Sequence, residues 1–76
     1  MPSVKPSGAE VLDAYFLETR AKLLEIAANL DRFDRAAGAR EMAGDARLKF
    51  IREALGVLLT DAPDRAERIQ VLYSKV

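Results

Sequence analysis

The chain has 76 residues, an apolar fraction of 50% and balanced charge, with 12 basic and 12 acidic side chains. That is enough for one folded domain with a modest core, in a size range where assembly often supplements stability. Charge balance argues against strong generic attraction to nucleic acid or anionic membrane, and the absence of cysteine and histidine excludes disulfides, thiolate chemistry, Cys-ligated zinc and the commonest general base.

Residues 1–6, MPSVKP, are expected to form a disordered tail. Met1 to Ser7 holds two prolines and no apolar core, so no signal peptide is expected there. No run approaches the roughly 18 apolar residues of a membrane span. A cytoplasmic location without membrane association follows as the expectation.

A single helical domain is expected over residues 7–76, with helices at about 8–37, 46–59 and 62–74. The first helix dominates. Ala9 to Ala37 contains neither proline nor glycine, and Val11, Thr19 and Ile26 are its only β-branched residues, a composition that favours helix. Ser7 and Glu10 have the spacing of a capping box. Glu10 and Asp13 near the start, and Arg32 and Arg35 near the end, match the helix dipole. Gly38 suits a left-handed position just past the last turn.

Stepping about 100° per residue places Leu12, Phe16, Leu23, Ile26, Leu30, Phe33 and Ala37 on one broad apolar side. A second stripe, Leu17, Ala21, Leu24 and Ala28, lies roughly 145° away, with Asp13, Arg20 and Asp31 on a polar seam between the two. A helix wetted on one side needs only one stripe; this one calls for cover on two. Alanine lets a neighbouring backbone approach while leucine fills the flanks, so the second stripe reads as a contact face. Arg20, between the stripes, is placed to pair with Asp13 or Asp31 of either chain.

After Gly38 the stretch AREMAGD has room for an extra helical turn, and Gly44 and Asp45 read as a turn and N-cap for the second helix. Leu48, Ile51, Leu55, Leu58 and Leu59 form that helix's core stripe, flanked by Phe50, Ala54 and Val57. Gly56 falls on its polar side. In the third helix Asp61 is the expected N-cap, with Pro63 in the first turn and Asp64 adding favourable charge. Ala66, Ile69, Leu72 and Tyr73 form its apolar face. The short connection makes helices two and three spatial neighbours.

The expected fold is all-α: one long N-terminal helix packed against a shorter two-helix hairpin, completed as a dimeric helical bundle. The long helix would span about 45 Å and the second only about half that. Pairing two copies through the second stripe supplies the missing cover, and closed two-fold dimers are the commonest oligomers. The expected interface residues are Leu17, Arg20, Ala21, Leu24 and Ala28.

Chemistry finds little support in these residues. Asp31 and Asp34 share one side of the helix and are weak metal candidates, with Glu25 as a possible helper; two carboxylates fall short of a calcium or magnesium site unless a second copy contributes. Structural pairing is the simpler account: Asp31 with Arg35, Glu18 with Lys22, Glu53 with Lys49, Asp61 with Arg65 and Asp64 with Arg68. The serines lie near the termini with no base partner, and no glycine loop has phosphate-binding context. A DNA-reading hairpin would present Arg65, Arg68 and Gln70, but Asp61, Asp64 and Glu67 share that segment, so nucleic acid is an unlikely partner. The leading expectation is a non-enzymatic homo-oligomeric helical protein, without cofactor, acting through protein–protein interaction with itself and an unidentified protein partner. A carboxylate metal-binding bundle is the alternative, with the DNA-binding hairpin behind it.

Overall fold

A computed structural model describes residues 4–76, whose regular structure is all helical, without strands. Helix α1 spans Gly8–Arg35, α2 Ala46–Leu58 and α3 Arg65–Tyr73, with a 3-10 turn at Ala39–Met42 between α1 and α2. The chain divides into two compact units, one ending at Ala36 and one beginning at Ala37. No helix among the described residues is long and apolar enough to cross a membrane. The expected tail lies partly outside the described residues, at positions 1–3. Residues 4–7 are exposed and without regular structure.

In the first unit α1 runs unbroken for 28 residues, about 42 Å at 1.5 Å per residue. Its start is the expected capping box: the Glu10 amide donates to Ser7 Oγ at 3.1 Å and the Ser7 amide to Glu10 Oε1 at 3.5 Å. Both satisfy amides that have no partner inside the helix. The helix stops two residues before the expected end, because Ala36 turns extended (φ −73, ψ 150). Gly38 does adopt the left-handed conformation (φ 75). It acts one step later than expected, opening the 3-10 turn, where its carbonyl accepts from the Glu41 amide at 3.2 Å.

In the second unit Asp45 caps α2 as expected, its Oδ1 accepting from the Arg47 amide at 2.8 Å. The Arg47 side chain folds back on the same carboxylate, Nε to Oδ1 at 3.0 Å and Nη2 to Oδ2 at 2.9 Å. This bidentate clamp holds the Asp45 carboxyl down to about 2, from an ordinary value of 3.8, with the Arg47 side chain as the leading cause and its amide next. A depressed carboxylate contributes stability above its ordinary pKa and loses it as pH falls through the folded value. The cap of α2 should therefore weaken between about pH 4 and pH 2. Circular dichroism through that range should show an acid-sensitive loss of helix, and Asp45→Asn, which keeps a good cap without the charge, should reduce the pH-dependent part.

Helix α3 packs against α2. The Phe50 and Tyr73 rings meet edge to face, centroids 5.6 Å apart. Leu72 borders one shallow depression with Phe50 and another with Val57. Leu48, 7% exposed, is the one buried side chain among the described residues, with Ile51, Ala54, Leu55, Val57 and Ile69 half-buried. Two members of the expected α2 stripe fall outside this core. Leu58 ends the helix exposed, and Leu59 is the C-cap residue, 87% exposed. Ala66, expected on the inner face of α3, is exposed as well.

The start of α3 also differs from expectation. Asp61 is not its cap: the helix begins at Arg65 with Asp64 at the N-cap, and the Arg68 amide donates to the Asp64 carbonyl at 3.0 Å. Thr60 organises the connection. Its hydroxyl donates to the Val57 carbonyl at 2.7 Å and accepts from Arg68 Nη1 at 3.0 Å, while its carbonyl accepts from Arg65 Nε at 2.6 Å. The loop is thus tied to both helices through one threonine. A Cβ built on Gly56 meets nothing within 4 Å, so this glycine serves no close approach. Gly56→Ala should stabilise the unit by about 1 kcal/mol, read as a raised midpoint in urea with an unchanged slope.

Candidate interaction face

The five residues expected to form a contact face all stand on α1. Leu17 is 75% exposed and Leu24 54%, Arg20 and Ala21 are exposed, and Ala28 is half-buried. The seven-residue spacing of Leu17 and Leu24, with Ala21 and Ala28 four further along, makes one line on a helix of about 3.6 residues per turn. The broad side is open in the first half of the helix, where Leu12 is 63% and Phe16 54% exposed. Ile26, Leu30 and Phe33 in the second half are half-buried. Val11, Leu12, Tyr15 and Phe16 border an open depression with Pro6 and Thr19 at the N-terminal end of α1.

Electrostatics on α1 are those of a solvated surface. Lys22 Nζ and Glu18 Oε1 lie 2.8 Å apart, four residues along the helix, and the hydrogen bond between them lowers the Glu18 pKa and raises that of Lys22. Arg32 donates to Asn29 Oδ1 at 2.7 Å. In the second unit Lys49–Glu53 at 4.0 Å and Arg68–Asp64 at 3.8 Å form as expected. Two expected pairs are replaced or absent. Arg65 turns to the Thr60 carbonyl in place of Asp61, and no ion pair joins Asp31 to Arg35 among the described residues. The Asp45–Arg47 clamp was not anticipated, because a two-residue spacing puts side chains on different helix faces; it forms because Asp45 sits at the cap, outside the helical stepping.

Among the described residues Arg20, Asp13, Asp31, Asp34 and Arg35 take part in no ion pair. Among the described residues no three of Asp, Glu, His or Cys converge to hold a metal ion. Asp31 and Asp34 are both exposed on α1. What distinguishes α1 chemically is a line of mostly exposed apolar side chains and a set of charges without ion-pair partners among the described residues. Comparison with known proteins adds no relative: no family model, curated protein or solved structure matches this sequence.

Proposed function

We propose that this chain is a small non-enzymatic helical protein of the cytoplasm that self-associates through α1 and acts by protein–protein interaction. The observation that supports it is the second stripe: Leu17 at 75% and Leu24 at 54% exposure, aligned with Ala21 and Ala28. Single exposed leucines are ordinary on protein surfaces; a periodic line of them, on a helix with a second apolar side, calls for intermolecular cover. The lack of histidine and cysteine supports a binding role over a catalytic one. A small folded chain that gains stability from its own copy melts at a temperature that rises with concentration. Thermal unfolding followed by circular dichroism across a hundredfold dilution should show that rise. A midpoint independent of concentration would count against the proposal.

A further inference from the structure

Resting on the self-association just proposed, we infer that two α1 helices pair antiparallel about a two-fold axis midway between Lys22 and Leu23. The second stripe complements itself only in that arrangement. Leu17 falls opposite the partner's Ala28, and Ala21 opposite the partner's Leu24, so each large side chain meets a small one along the whole contact. Parallel, in-register pairing sets leucine against leucine and alanine against alanine, leaving alternate crowding and gaps.

Charge at the ends of the line points to the same axis. By the 100° stepping, Glu10 and Arg35 lie on the line of Leu17 and Ala28 to within about 20°. The axis that matches leucine with alanine also sets Glu10 opposite the partner's Arg35, at both ends of the contact. A parallel pair would put Glu10 beside Glu10 and Arg35 beside Arg35. Among the described residues Arg35 has no ion pair, and Glu10 uses one oxygen in its cap.

Arg20 fits as well. Helical side chains lean toward their own N-terminus, so Arg20 leans toward the partner's Asp31, which leans back toward it. Their axial offset is six residues, about 9 Å, a gap that the two leaning side chains close. The register also brings the partner's Asp13 near Asp31, a like-charge approach that Arg20 offsets.

The chain contains no cysteine, so an introduced one reports position without background. Leu17→Cys and Ala28→Cys chains, mixed, exchanged and oxidised, should yield the mixed disulfide as the main crosslinked product. Facing residues meet the Cα separation of about 4.4–6.8 Å that a disulfide needs, whereas each variant's self-pair lies about 16 Å apart along the axis. Ala21→Cys, which retains both leucines, should link to itself and shows that the face is in contact. Self-linked Leu17→Cys and Ala28→Cys without the mixed product would mean parallel pairing. A dimeric wild type in which no position crosslinks would place the contact elsewhere. Either result overturns the antiparallel register and leaves self-association standing, whereas a wild-type chain sedimenting as a monomer at micromolar concentration overturns self-association itself.

Discussion

Leu24→Glu should dissociate the assembly into monomers at concentrations where the wild type is dimeric. Leu24 is half exposed in the single chain and lies in the middle of the Leu17–Ala28 line, so the substitution leaves the monomer's own packing little disturbed. In the paired state it replaces a leucine packed on the partner's Ala21 with a desolvated carboxylate, which the partner's Arg20, at the edge of the contact, only partly offsets. Losing the buried leucine and desolvating a charge together cost several kcal/mol, and each 1.4 kcal/mol is tenfold in affinity. Self-association should weaken at least about 100-fold, measured by light scattering behind a sizing column. Asn29→Glu, on the polar side of the same helix, is the matched control and should leave the assembly unchanged. Equal behaviour of the two variants would show that the second stripe is not the contact.

The second large effect belongs to the other unit. Leu48 is the one buried side chain there, at 7% exposure. Truncating a buried leucine to alanine costs about 2–5 kcal/mol, from lost transfer energy and the cavity left behind. In a chain this small that is a large share of total stability. Leu48→Ala should lower the urea midpoint steeply and leave the α2–α3 pair largely unfolded at 37 °C. Leu59→Ala, at an 87% exposed position, should change the midpoint by no more than about 0.5 kcal/mol. A small effect at Leu48 would mean that the core is organised around other residues.

How far the residues foretold these features follows from the range over which each is determined. The start of α1 was legible because a capping box is written in four consecutive residues, Ser7 to Glu10. Asp45 and Gly38 were legible for the same reason, since a cap and a left-handed turn are decided locally. Local rules misplaced the start of α3: Asp61 and Asp64 are both acceptable cap residues, and they carry no information about Arg65 and Arg68 reaching back to Thr60. Leu59 was assigned to the core by periodicity, which carries no information about where α2 stops. Periodicity gave the composition of the candidate face, but Leu17 and Leu24 look alike in a stripe that is covered and in one that stays wet. Their register against a second copy rests on where Glu10 and Arg35 fall relative to them.

If α1 carries more apolar circumference than one chain covers, sedimentation equilibrium of the wild-type chain from about 1 to 100 μM, at physiological salt, should give a mass of twice the 8.4 kDa chain over most of that range. Dissociation should be visible only toward the dilute end, and a mass of one chain at every concentration would refute the pairing.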